Sequence, residues 1–174
     1  MLTLTLLRHA KSNWDDPSLE DFDRPLGRRG RDAAPKMGKA LAARGLKPDL
    51  IVCSSAVRAR QTLELVLDAF GSPTPHVVYD DAIYMAMPEV LLARLRAHAG
   101  SDAPRHVMIV GHNPGLEELA LMLAVRGPAA ERGRMAEKFP TASAAVITFD
   151  AGDWGGVAPG SGKLELFLTP KQLT

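Results

Sequence analysis

The stretch Leu2-Thr3-Leu4-Thr5-Leu6-Leu7-Arg8-His9 decides the fold. Its apolar run reads as a β-strand, and its end sets an arginine beside a histidine. A strand finishing this way presents a fixed cation and an imidazole at one edge of a sheet. The arrangement returns downstream. Arg105-His106-Val107-Met108-Ile109-Val110 reads as a second such strand, followed by Gly111-His112-Asn113-Pro114-Gly115. Two histidines at two strand ends, with arginines nearby, point to phosphate chemistry.

Working outward, short β-like runs alternate with helical patterns. Residues Asn13 to Gly27 are rich in Asp, Pro and Gly and read as a long loop. A helix is expected from about Arg31 to Arg44, with Pro35 tolerated in its first turn and Gly45 as its stop. Asp49 to Cys53 reads as a strand. Ser54 or Ser55 is placed to cap a helix from about Ala56 to Phe70. His76 to Tyr79 is a further strand, Pro88 opens the next helix, and Pro114 opens the helix after His112. The segment 127–139 is charged and gives no firm pattern, and Ala144–Phe149 and Leu164–Leu168 read as two last strands. The expected fold is a three-layer α/β/α arrangement with a mostly parallel central sheet, in a single domain over residues 1–174.

Composition narrows the function. Hydrophobic residues are 46 % and charged residues 24 %, as in ordinary globular chains, and the formal net charge is +1. That balance offers nothing to nucleic acid, so any anion site must be local. Cys53 is the single cysteine, which fits a reducing compartment. No stretch reaches membrane-spanning length and the start lacks a secretory pattern, so a cytoplasmic protein is expected.

In open α/β sheets, ligands bind beyond the carboxyl ends of the strands. That rule gathers Arg8 and His9, the Ser54-Ser55 turn with Arg58 one turn further, and His112. If the strands are neighbours, these four side chains meet in a cationic pocket suited to a phosphoryl group. The helix after His112 adds the partial positive charge of its N-terminus. Arg60 falls on another helical face, and His76, His98 and His106 carry no such context. No third histidine or carboxylate stands at ligand spacing, so no metal and no cofactor are expected.

These motifs resemble the histidine phosphatase superfamily, which includes the phosphoglycerate mutases. The carriers are Leu7-Arg8-His9-Ala10-Lys11-Ser12, Arg24-Pro25-Leu26 with Arg29-Gly30, Ser54-Ser55-Ala56-Val57-Arg58-Ala59-Arg60-Gln61-Thr62, and Val110-Gly111-His112-Asn113-Pro114. The short chain and the Phe139-Pro140-Thr141 segment resemble the small SixA-type phosphohistidine phosphatases most. The resemblance implies a phosphoglycerate mutase-like fold and a metal-independent phosphatase. It implies that His9 is the nucleophile of a phosphohistidine intermediate, that Arg8 and Arg58 hold phosphoryl oxygens, and that His112 donates to them. Ser12 and Asn13 are substrate-binding candidates beside the first motif. The physical demands on a nucleophilic His9 are a neutral ring, one free lone pair and an acceptor for the other N–H.

The chain also departs from the family. Many members carry a glutamate after the third strand that protonates an ester leaving group. Here the region reads Asp80-Asp81-Ala82-Ile83-Tyr84-Met85-Ala86-Met87-Pro88-Glu89, with only Asp81 and Glu89 as candidates. Gly27 stands where a Thr or Ser is frequent, and the long insertions of the mutases are missing. An alkoxide leaving group needs a general acid, whereas the labile phosphorus–nitrogen bond of phosphohistidine needs less help. The expected partner is therefore a phosphoprotein, such as a phosphohistidine-containing domain. Hydrolysis of a small phosphate ester, and phosphate recognition without turnover, are the alternatives.

Overall fold

The computed structural model describes residues 1–100 and 103–173. Its strands are β1 (Leu2–Arg8), β2 (Leu50–Ser54), β3 (His76–Asp80), β4 (His106–Gly111), β5 (Ala124–Arg126), β6 (Ala144–Phe149) and β7 (Gly162–Leu168). The helices are α1 (Arg28–Ala43), α2 (Val57–Leu67), α3 (Pro88–Ala99), α4 (Gly115–Leu123) and α5 (Ala129–Glu137). All seven strands join one sheet in the order β3-β2-β4-β1-β6-β7-β5. The β3-β2-β4-β1 block is parallel, β6 runs antiparallel to both β1 and β7, and β5 pairs parallel with β7.

Successive residues of a strand face opposite sides, and here both sides are covered. Leu4, Leu6, Val107, Ile109 and Val52 pack with α3 and α4. Leu7, Met108, Val110, Ile51 and Cys53 pack with α1 and α2. Burial on both faces explains why these strands read as continuous apolar runs. It also fixes register, since a one-residue slip would exchange the two faces.

Three local expectations change. The first helix begins at Arg28, so Pro35 lies inside it and not in its first turn. Its charged opening Arg28-Arg29-Gly30-Arg31 carries no apolar period to mark the start. Gly27 caps it without a side chain, and Gly30 permits close packing: a Cβ there would sit 2.3 Å from the Lys11 carbonyl oxygen. The second helix spans Val57–Leu67 and has no serine cap of the usual kind, because Ala56 is its N-cap and Ser54 Oγ accepts from the Ala56 N–H, ahead of the helix. The segment 127–139 resolves into α5, preceded by the short strand β5.

Register positions the site. Arg8 lies opposite Gly111 across β1–β4, and Cys53 opposite Val110 across β2–β4. The carboxyl ends of three strands therefore finish side by side, and the residues just beyond them share one edge.

Candidate active site

The backbone of His9 is pinned from two sides. Its N–H donates to the Gly111 carbonyl at 3.0 Å, and its carbonyl accepts from the Ala142 N–H at 3.0 Å. The next amide, Ala10 N–H, donates to Thr62 Oγ1 at 2.9 Å, and that hydroxyl donates to the Arg58 carbonyl at 2.7 Å. Thr62 thus ties β1 to the helix that carries Arg58.

His9 is 7 % exposed. Its Nδ1 lies 2.7 Å from the Ala10 carbonyl oxygen, which can only accept, so Nδ1 carries the hydrogen. Nε2 then holds the ring's lone pair, which accepts from Arg58 Nε–H at 3.3 Å. Burial is the main force that lowers the His9 pKa to about 4, with Arg58, Arg8 and Arg24 adding to it. Desolvation therefore leads, although the sequence points first to the arginines. The ring is neutral at physiological pH, as a nucleophile requires.

Arg58 is 3 % exposed at the start of α2. Beyond His9, its guanidinium donates to the Asp21 carbonyl at 2.7 Å and to Asp21 Oδ2 at 3.0 Å, and it faces His112 Nδ1 at 3.3 Å. His112 and His9 stand 5.1 Å apart, ring centre to ring centre. The His112 Nε2 contacts Ser54 Oγ at 2.7 Å. With Arg58 donating to Nδ1, the ring proton sits on Nε2 and points at Ser54. His112 in this tautomer offers the pocket a lone pair, so donation to an oxyanion requires the proton to move to Nδ1. The Ser54 hydroxyl can rotate to donate and so accept that change. Burial, then His9 and Arg58, push the His112 pKa down to about 3.

Arg8 donates to the Phe139 carbonyl at 2.9 Å, and the Asn113 amide donates to the same oxygen at 3.1 Å. Among the described residues the buried Arg8 Nε–H has no hydrogen-bond partner. A buried unmet donor of a charged group is costly.

The sequence candidates differ in how far they reach. Arg8, His9, Arg58 and His112 converge. Ser12 is buried and accepts from Arg24 at 3.1 Å, so it supports the pocket wall through that arginine. The Asn13 carboxamide oxygen is used by the Asp15 N–H at 2.6 Å, within its own loop. Asp81 and Glu89 are exposed and hydrogen-bond to none of the four central side chains. Arg60 lies over the Tyr79 ring, away from the pocket. Among the described residues no group of three His, Cys, Asp or Glu is placed to hold a metal ion.

Sequence reading gives no specific role to Asp21 or Tyr84. Asp21 accepts from Arg24, Arg58 and the Tyr84 hydroxyl. Partial burial pushes its carboxyl upward, but those three donors outweigh it and hold it well below the usual carboxylate range. Tyr84 meets His112 edge-on at 5.3 Å and Phe22 at 5.0 Å. At the rim, Arg24 stacks on the exposed Trp14 ring at 3.3 Å. The sequence offers an aspartate-dense loop around Asp21 and the stretch Tyr84 to Glu89, and neither singles out one residue.

A neutral histidine beside two arginines and a second histidine at the carboxyl edge of an α/β sheet is an arrangement suited to a phosphoryl group. Comparison with known proteins carries this further. The family model of the histidine phosphatase superfamily (branch 1) matches residues 4–83. A candidate phosphohistidine phosphatase SixA from Agrobacterium tumefaciens is 33 % identical, with a TM-score of 0.77, over 97 % of this chain and 99 % of that one. A second candidate SixA, from Nakamurella multipartitia, is 28 % identical with a TM-score of 0.82, over 97 % of this chain and 96 % of that one. An uncharacterized protein of Mycobacterium tuberculosis is 37 % identical over 95 % of this chain and its own whole length. The chain belongs to the histidine phosphatase superfamily, has its phosphoglycerate mutase-like fold, and is a phosphatase.

Proposed function

We propose that this phosphatase removes phosphoryl groups from phosphohistidine-containing protein, through a phosphohistidine intermediate on His9. The observation that carries the reading is the His9 ring: its Nδ1–H is committed to the Ala10 carbonyl, and its Nε2 lone pair faces the pocket beside Arg58. In the first step Nε2 attacks phosphorus and the bond to the substrate nitrogen breaks. That nitrogen keeps the electron pair and takes a proton from water. In the second step water attacks the phosphorus on His9, inorganic phosphate leaves, and the neutral ring returns.

Arg58 would exchange its contacts to His9 and Asp21 for phosphoryl oxygens, and Arg8 would satisfy its buried Nε–H on the same group. Hydrogen bonds of this charged kind contribute ~1.5–3 kcal/mol each, most to charge that develops in transfer. His112 would donate after its proton moves to Nδ1, with Ser54 supporting the change. Asp21 is held ionised by its three donors, which argues against it as a general acid. Asp81 and Glu89 do not bond to the central side chains, so the pocket favours an activated phosphorus–nitrogen bond over an alkyl ester.

No helix among the described residues is long and apolar enough to cross a membrane. We place the enzyme in the cytoplasm with the reducing compartment that its lone buried Cys53 suits. A panel of phosphohistidine peptide, phosphoramidate and alkyl phosphate, with His9→Ala as control, tests the proposal. The expected order is phosphohistidine and phosphoramidate far ahead of the alkyl ester, with all turnover lost in His9→Ala. Alkyl phosphates turned over as fast as phosphohistidine would overturn the substrate class.

A further inference from the structure

A groove of about 620 Å³ lies outside the His9 pocket. Lys11, Arg29, Lys36, Lys138 and Lys171 line it, with Asp32 the one carboxylate on that lining among the described residues. All five cations are exposed. On a chain whose formal net charge is only +1, this concentrates a positive field at one place. Among the described residues none of Lys11, Arg29, Lys36 and Lys138 takes part in an ion pair.

The groove is built on the segments that hold the nucleophile. Lys11 is joined to His9 through Ala10, and its backbone packs on Gly30 of α1. Pro140 and Thr141 form another part of the lining. They lead into Ala142, whose N–H donates to the carbonyls of both Arg8 and His9. A chain seated in the groove is therefore close to the pocket by construction.

We infer that this groove docks an acidic segment of the phosphoprotein whose phosphorylated side chain enters the His9 pocket. The inference rests on the phosphoprotein reading above and adds the character of the partner's surface. The cations come from four separate parts of the chain: the loop after β1, α1, the turn after α5 and the C-terminal turn. They stand on long exposed stems around an open channel. That spacing suits a row of carboxylates on a polypeptide. A compact phosphate site would instead bury its guanidinium groups, as Arg58 is buried. Exposed complementary charges raise the association rate and weaken with salt.

The test uses two phosphohistidine peptides of equal length, one with an oligoglutamate tail and one with a Gly/Ser tail. The enzymes are wild type and Arg29→Glu/Lys36→Glu/Lys138→Glu, with Lys36→Ala/Lys138→Ala as a milder second variant. The groove predicts that charge reversal lowers kcat/KM for the glutamate-tailed peptide about tenfold at low salt, through KM. Turnover of phosphoramidate and of the Gly/Ser peptide stays as in wild type, and the tail's advantage vanishes at high salt. Fluorescence anisotropy with a non-phosphorylated oligoglutamate peptide reads docking without catalysis. Equal loss for both peptides, no loss for either, or tighter binding of oligothymidylate than of oligoglutamate would overturn the inference. If phosphoramidate and both peptides resist hydrolysis while oligoglutamate still binds the groove, the proposed activity fails and the docking site stands.

Discussion

Replacing Thr62 by valine tests the connection between the strand that leads into His9 and the helix that carries Arg58. The change conserves shape at a position with no exposure, and it deletes one hydroxyl. Two bonds go: Ala10 N–H to Oγ1 at 2.9 Å, and the hydroxyl to the Arg58 carbonyl at 2.7 Å. The two losses are unequal. The Arg58 carbonyl sits in the first turn of α2 and keeps its helical partner. The Ala10 N–H is left buried with none, and such a group costs ~1–3 kcal/mol. For a domain of this size, ~2 kcal/mol is a Tm drop of roughly 4–8 °C. Thr62→Ser keeps the hydroxyl and removes a methyl group, at ~1 kcal/mol. The pair separates the bond from the packing. Urea melts of the three proteins should place valine below serine, and serine slightly below wild type. Kinetics should follow, because the Ala10 N–H belongs to the peptide joining His9 to Ala10. Valine should lower kcat about tenfold with a smaller effect on KM, and serine should be near wild type. A valine variant as stable and as fast as the serine variant would refute the role given to Thr62.

Other outcomes follow from the same geometry. The acid limb of kcat/KM should fall near pH 4, well below the ordinary histidine value, because the proposed nucleophile His9 must be neutral to attack and its pKa is lowered to about 4. Stability has the matching sign: below pH ~6.5 the unfolded chain takes a proton that folded His9 refuses. Folding free energy should therefore decline as pH falls from ~6.5 toward 4, by up to ~3 kcal/mol from this residue, in denaturant melts across that range. Asp21→Asn removes the carboxylate that competes for Arg58, so inorganic phosphate should inhibit the variant several-fold more strongly in a steady-state inhibition assay. Gly115→Ala would set a Cβ 1.8 Å from the Ala86 carbonyl oxygen. The loop bearing Tyr84 and Met85 must shift, and thermal melts should show a loss of ~1–3 kcal/mol.

The central site was legible in the sequence because two strand ends carry Arg8-His9 and His112, a third leads within a turn of helix to Arg58, and the parallel order β2-β4-β1 makes those ends neighbours. Arg8, His9, Arg58 and His112 needed only the rule that strand carboxyl ends gather ligands. What stayed hidden has physical reasons. Asp21 and Tyr84 meet only in space, from a loop with several aspartates and from a turn after β3, and neither has periodicity. Ser54 reads as a helix cap, yet its hydroxyl serves the His112 ring. The start of α1 is hidden by its charge-rich first turn, and β5 is too short at Ala124–Arg126 to show alternation. The direction of β6 and β7 is also silent in the apolar pattern, since strands buried on both faces read alike in either sense.

The most direct measurement is a rapid alkaline quench of enzyme with 32P-labelled phosphoramidate, followed by peptide mapping. The account predicts label on the peptide holding His9, on Nε2, appearing before phosphate release and absent from His9→Ala. Turnover with no labelled His9, or label on His112 instead, would contradict it.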